Sequence, residues 1–324
     1  MLIMALLSTT SNIQIIAPQL ELEEQGSNSL MRILDEYYRL ENGVKVPKIG
    51  LGTWQMPNGR ATYDALSFAL ANGYRHIDTA HGYGNEPTVG SAVRDCGIDR
   101  REIFVTSKLP PDIKDKEGAL LSFNSTMEEL GLEYLDLYLI HAPWPWDEVG
   151  HDFRLENSRV WKAMETIYRS GRCRAIGVSN FEISDLTFLM EDCEIQPMVD
   201  QIRFYVGNTQ ERITHFCQEN NILVEGFSPL ATGAILGNKT IAAVAKKYDS
   251  TVPKICIRYV LQKGVLPLPK STHPEHILQN VDVDFEIETD DMVLLDSLKH
   301  TTRRGLVRKG LRMIARSKPP CHEN

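Results

Sequence analysis

The sequence predicts an α/β fold, a (β/α)8 barrel of the TIM type preceded by a short N-terminal β-hairpin. Three observations predict it. From about residue 36 onward, short β-rich apolar runs alternate with longer segments of helical period. Eight such pairs follow one another over roughly 230 residues, a span that suits this barrel. The alternative, a doubly wound open sheet, is expected to carry a Gly-rich phosphate turn after its first strand, and GLGTWQ does not complete G-x-G-x-x-G.

The elements follow in order. YYRLENGVKVP reads as two strands joined by a Glu-Asn-Gly turn, a hairpin signal. The barrel strands are then KIGLGT, YRHIDT, IFVTSK, LDLYLIH, RAIGVS, MVDQIR, ILVEGFS and VLPLPK. Amphipathic stretches separate them, the last being one long segment, IAAVAKKYDSTVPKICIRYVLQKG. Gly43, Gly73, Gly131, Gly171 and Gly264 fall at the hairpin turn or the helix-to-strand returns, where the backbone needs a positive φ. Residues 1–30 have no sustained pattern and are expected to form a poorly ordered extension. Residues 31–324 form a single barrel domain that ends in a basic tail from about 299 to 324.

Composition narrows the function. A formal net charge of −8 argues against nucleic acid as the main partner, because phosphate binding needs a basic footprint. No apolar stretch reaches the roughly 18 residues needed to cross a membrane, so no membrane partner is expected. The six cysteines are scattered and form no C-x-x-C pair, which fits a reduced, cytoplasmic protein.

In a barrel, the residues that do chemistry stand at or just after the C-terminal ends of strands. Those ends carry Thr53 and Trp54, Asp78, Lys108, His141, Ser179 and Asn180, Gln201, Ser228 and Lys270. Nearly every strand therefore ends in a polar or ionisable group at one face. Taken singly, each has a plainer explanation. Tyr83 in its Gly-rich loop could be a packing residue, Lys108 a solvated strand end, Asp78 a cap and His141 a satisfied core histidine. Their convergence on consecutive strand ends favours a site.

GYRHIDTAHGYGNE, TSKL, LGLEYLDLYLIHAP, AIGVSNF, VDQIRFY, EGFSPLATG and PKSTHPEHILQN occur in that order between Val44 and Asn280. These segments resemble those of the aldo-keto reductases, most closely the small prokaryote-type aldehyde and 2,5-diketogluconate reductase branch. The resemblance implies that Asp78, Tyr83, Lys108 and His141 are catalytic. It also implies NADPH-dependent reduction of aldehydes and ketones by a monomer, with NADH possible as a tolerated substitute.

The residue types suit that chemistry. Carbonyl reduction needs a hydride from a cofactor and a proton for the developing alkoxide. A free tyrosine, with a pKa near 10, is a reluctant donor at neutral pH. A nearby ammonium is expected to lower that pKa, with Asp78 holding Lys108 charged and in place. A neutral His141 can give one N–H to the carbonyl oxygen and orient it. No metal is expected, since no H-E-x-x-H or comparable ligand spacing occurs.

By the same resemblance, Thr53, Trp54 and Asp78 line the cofactor site. Ser179, Asn180 and Gln201 hold the nicotinamide carboxamide, and Phe227 stacks on the ring. Ser228 and Leu230 meet the pyrophosphate. Lys270, Ser271 and Thr272 meet the adenine-ribose 2′-phosphate, with His276, Gln279 and Asn280 following. His276 stands where the family often has arginine, a stronger phosphate partner, so weaker selection against NADH is expected. The segment SPLATGAILGNKT leaves no room for a long cofactor-covering loop.

Trp54, Tyr83, His141 and Trp144 are expected to line the substrate mouth, with Phe204 or Tyr205 as a further member. Such an aromatic cup suits small aldehydes, α-dicarbonyls and keto-sugars. Two other readings remain at this point: a cofactor-binding relative with little turnover, and a barrel lyase or isomerase using Lys108 as a Schiff base.

Overall fold

The structure, a computed structural model, describes residues 33–298. The expected extension over residues 1–30 and the basic tail from 299 lie outside these residues. The hairpin forms as the sequence predicts: β1 (Tyr37–Arg39) pairs antiparallel with β2 (Lys45–Pro47).

Eight parallel strands follow. They are β3 (Leu51–Gly52), β4 (His76–Asp78), β5 (Phe104–Leu109), β6 (Leu135–Ile140), β7 (Cys173–Ser179), β8 (Val199–Arg203), β9 (Leu223–Phe227) and β10 (Leu266–Leu268). Each pairs with the next in chain order. The ring closes where the Gly50 N–H donates to the Pro267 carbonyl at 3.2 Å and the Gly52 N–H to the Pro269 carbonyl at 2.9 Å.

The helices between strands are α1 (Arg60–Ala71), α2 (Glu86–Asp95), α3 (Lys116–Leu130), α4 (Arg154–Arg169), α5 (Ile183–Asp192) and α6 (Glu211–Glu219). After β9 come α7 (Lys239–Lys247) and α8 (Val252–Gln262), and after β10 come α9 (Pro274–Gln279) and α10 (Thr289–Asp296). The long stretch over α7 and α8 is thus two helices rather than one. The break has a local cause: Asp249 takes a positive φ of 46°, and Pro253 occupies the first turn of α8. Gly43 of the hairpin and the four return glycines all have positive φ, between 59° and 97°.

Alternation along the strands sets the core in two layers. Leu137 and Leu139 of β6 join Ala175, Val199, Leu266 and Leu268 inside the barrel, while Tyr138 and Ile140 pack outward under the helices. Tyr38, Leu40 and Val46 of the hairpin belong to the interior cluster and cover its N-terminal end. The opposite, C-terminal end is the one where barrels of this kind carry their active sites.

Helix packing is close where glycine allows it. A Cβ on Gly90 of α2 would collide with the Leu130 carbonyl at the end of α3. Arg94 also donates to that carbonyl. Among the described residues no helix is long and apolar enough to cross a membrane, and the described cysteines are all free thiols.

Candidate active site

The inward parity of each strand brings the expected residues to one end of the barrel. On β4 the alternation runs His76, Asp78; on β5 Thr106, Lys108; on β6 Leu139 and then His141. Backbone strain falls on the same end. Gln55, Asn180, Gln210, Ser228, Ala231 and Thr232 take positive φ in the segments after β3, β7, β8 and β9. Non-glycine residues in that region cost energy and collect at functional sites.

Lys108 is the centre of the group. Its side chain is fully buried, and Nζ donates at 2.8 Å to Asp78 Oδ1, to Asp78 Oδ2 and to the Thr79 carbonyl. Its ammonium lies 5.1 Å from the centre of the Tyr83 ring. Tyr83 sits on a single 3₁₀ turn, His81–Tyr83, ended by Gly84 in the left-handed conformation. The His141 ring meets the Tyr83 ring edge-on at 5.6 Å. The structure therefore brings all four residues together.

Burial alone would depress the Lys108 ammonium. Attraction from Asp78, Tyr83 and Glu225, with the Asp78 hydrogen bond, outweighs it and leaves the pKa raised. Burial, helped by the Lys108 charge, holds His141 well below the usual imidazole range, so the ring is neutral. Tyr83 departs from expectation. Part of the residue is open to solvent, yet its phenol is densely surrounded, and that desolvation raises its pKa. Lys108 pulls downward but does not overcome burial together with the Asp78 charge.

The cofactor-side residues form a second connected set. Ser179 Oγ donates to the Gln201 carbonyl at 2.8 Å, and Asn180 Nδ2 donates to the His141 carbonyl at 3.0 Å and to Ser179 Oγ at 2.9 Å. Gln201 Nε2 donates at 2.8 Å to both Asp78 Oδ2 and Glu225 Oε2. Thr53 Oγ1 donates to the Asp78 carbonyl at 3.0 Å. Phe227 closes β9, half-buried, and Ser228 and Leu230 follow it into a compact 3₁₀ turn, Ala231–Gly233. Asn238 then caps α7, so the segment is as short as the sequence predicts.

Lys270 is exposed at the end of the eighth barrel strand. Ser271 is buried and accepts the His273 N–H at 3.0 Å. Thr272 is half-buried, Gln279 exposed and Asn280 buried. His273, Pro274, Glu275 and His276 line a shallow pocket of about 390 Å³, the two imidazoles edge-on at 5.3 Å.

At the mouth, Trp54 and Trp144 are half-buried. Trp146 was missed from the sequence, although it repeats the Trp144 pattern within APWPW. Its ring lies 5.3 Å from His141 and 5.5 Å from Trp144. Phe204 is not brought into this group: it is 1% exposed and packs in the helix-side core. Tyr205 is also buried there, beneath the Arg203 guanidinium at 5.4 Å. Glu225 is the other residue missed, a fully buried carboxyl inside the barrel.

One cluster outside the expected set could offer metal ligands. Donor atoms of His81, Glu86 and Glu129 lie within 4.8 Å of one another. Hydrogen bonds account for its buried member, since Glu86 Oε1 accepts from Ser107 Oγ at 2.5 Å and Oε2 faces His81 Nδ1 at 3.2 Å.

A lysine–carboxylate pair, a tyrosine and a neutral imidazole stand together at the C-terminal end of a (β/α)8 barrel, the end where this fold carries active sites. Residues 48–300 match the model of the aldo/keto reductase family, and the chain belongs to that family of oxidoreductases. It is 39% identical over 273 residues to the glyoxal reductase of Bacillus subtilis, covering 84% of this chain and 96% of that protein. An aldo-keto reductase from a Medee basin deep-sea metagenome has a similar structure, with a TM-score of 0.75 and 41% identity over 81% of this chain and 94% of that one. A Bombyx mori aldo-keto reductase in complex with NADP gives a TM-score of 0.74 at 32% identity, covering 82% of this chain and 92% of that one.

Proposed function

We propose that the protein reduces small aldehydes, α-dicarbonyls and keto-sugars to alcohols, with NADPH as the hydride source and Tyr83 as the proton donor. The observation that carries this reading is the buried Lys108 ammonium, fixed by Asp78 and Thr79 and facing the Tyr83 ring. Bound reduced nicotinamide supplies the hydride that the carbonyl carbon accepts. As negative charge grows on the carbonyl oxygen, Tyr83 Oη passes its proton there. The raised pKa keeps the phenol protonated beforehand, and the Lys108 charge lessens the cost of the phenolate left behind. Neutral His141 gives one N–H to the same oxygen and orients the carbonyl.

The donor set suits the cofactor. Ser179, Asn180 and Gln201 offer hydroxyl and amide groups, which can pair with a carboxamide as donors and acceptors at once. Phe227 offers a ring face to the nicotinamide. The left-handed residues Ser228, Ala231 and Thr232 form the kind of backbone bend that turns N–H groups toward an anion, and Leu230 lies between them. Lys270, Ser271 and Thr272, next to the His273–His276 pocket, would meet the 2′-phosphate. The name of the Bacillus relative, glyoxal reductase, supports α-dicarbonyls as substrates.

A Schiff-base role for Lys108 is disfavoured by its own contacts. A lysine nucleophile needs its free amine, yet this one is held charged by three oxygen contacts and a raised pKa. The test is to mix the protein with NADPH and a panel of glyoxal, methylglyoxal and neutral aldehydes, and to follow loss of reduced cofactor. Turnover that requires both components is expected. Tight NADPH binding without turnover would contradict the reductase reading, and borohydride trapping of substrate without cofactor would point to the lyase.

A further inference from the structure

Glu225 takes no part in the proton transfer described above, yet the Gln201 amide joins it by hydrogen bonds to Asp78. It occupies the middle of β9, two residues before Phe227 and therefore on the same inward face. Its register partners are Gln201 on β8 and Leu266 on β10. The side chain is fully buried; Oε2 accepts from Gln201 Nε2, while Oε1 has no hydrogen-bond partner.

Two consequences follow from this placement. The single nitrogen of the Gln201 amide serves two carboxyl groups, Asp78 and Glu225, each at 2.8 Å. The Asp78 carboxylate accepts only, so the amide cannot rotate end for end without setting its carbonyl against a carboxylate oxygen. The second consequence is a charge imbalance. The charged groups facing Glu225 are Asp78 from β4 and Lys108 from β5, while β8 offers the neutral Gln201 and β10 the apolar Leu266. One ammonium thus faces two carboxyl groups in a buried space. Burial and then the Asp78 charge push the Glu225 carboxyl up to about 8, against the pull of Gln201 and Lys108.

We propose that Glu225 is a positioning residue that fixes the Gln201 amide for the cofactor and couples its own proton to the cofactor's charge. The inference rests on the reading of Gln201 as a cofactor-binding residue. The oxidised nicotinamide carries a positive charge that the reduced ring lacks. An ionised Glu225 therefore favours the oxidised form, and a protonated Glu225 is indifferent between the two. By linkage, binding of the oxidised form expels a proton from Glu225 more readily than binding of the reduced form.

The experiment is to measure Kd for NADPH and for NADP+ by tryptophan fluorescence quenching across pH 6 to 9.5. The ratio of the two constants is the readout, because titration of the 2′-phosphate is common to both forms and cancels. In the wild-type protein NADP+ is expected to gain on NADPH by about fivefold as pH rises through the range where Glu225 ionises. Glu225→Gln keeps a hydrogen-bonding group at the position and should make the ratio independent of pH. Glu225→Ala should weaken binding of both forms by freeing Gln201, and Glu225→Gln should recover much of that loss. A Glu225→Gln protein with the wild-type pH dependence would overturn the proposal while leaving the cofactor reading intact. Failure of the wild-type protein to bind either nucleotide at any pH would overturn both.

Discussion

Tyr83 is acted on in opposite directions. Desolvation raises its pKa, Lys108 lowers it and Asp78 raises it again. The useful effect of Lys108 is therefore on the cost of losing the proton rather than on the resting state. Lys108→Met should lower kcat by about 100-fold or more and leave the residual phenol titrating still higher. Asp78, Lys108 and His141 were legible because each stands at the inward parity of a strand end. Phe204 lies outside the group by the same rule of parity. It continues the parity of Asp200 and Ile202, which face the helices, so the turn after β8 carries it into the core. Glu225 has the inward parity but lies two residues below the strand end, so strand-end position does not single it out. At the adenine end, His276→Ala is expected to narrow the preference for NADPH over NADH only modestly, compared through kcat/KM for the two cofactors. An overwhelming preference that the substitution leaves untouched would show that His276 does not set it.

At the scale of elements, the loop after β6 is held by hydrogen bonds from Lys114 and Asn157. Lys114 Nζ donates to the Pro143 carbonyl at 3.0 Å and to Asn157 Oδ1 at 2.8 Å, and Asn157 Nδ2 returns a bond to Pro143 at 2.8 Å. This clamp fixes the backbone that carries Trp144 and Trp146. Lys114→Met should raise KM for carbonyl substrates by about tenfold while NADPH affinity stays unchanged, since a misplaced substrate wall costs positioning. The α2–α3 contact makes a stability prediction. Gly90→Ala meets a backbone carbonyl that cannot move aside cheaply, so a loss of about 1–3 kcal/mol is expected in denaturant unfolding. Element order and type were legible because strand and helix periods differ clearly. The α7–α8 break was missed because the helical period runs on across Tyr248 and Asp249, with only Pro253 to mark a new start.

The whole molecule depends on pH through buried groups inside the barrel. Burial, with the Lys108 charge, lowers His76 from 6.5 to about 3, so this histidine is neutral when folded. The unfolded chain binds its proton first, and the stability His76 contributes is complete above pH 6.5 and lost as pH falls from 6.5 toward 3. Glu225 has the opposite sign. Its folded pKa is raised from 4.5 to about 8, so the folded state holds the extra proton and stability declines as pH rises from 4.5 to 8. Glu225→Gln should therefore gain Tm over wild type progressively between pH 5 and 8, as calorimetry at several pH values would show. A constant Tm difference across that range would mean that Glu225 does not carry a proton into the folded state. The barrel as a whole was legible from its eightfold alternation, whereas these interior carboxyl and imidazole contacts depend on cross-strand register that one sequence does not display.

The central claim is that the Tyr83 phenol delivers the proton. Tyr83→Phe removes one oxygen and keeps the ring that packs against His141. The direct measurement is kcat for glyoxal reduction by this variant, alongside its Kd for NADPH. A loss of about 1,000-fold or more in kcat with NADPH binding nearly intact is the expected result. Wild-type turnover by Tyr83→Phe would contradict the mechanism.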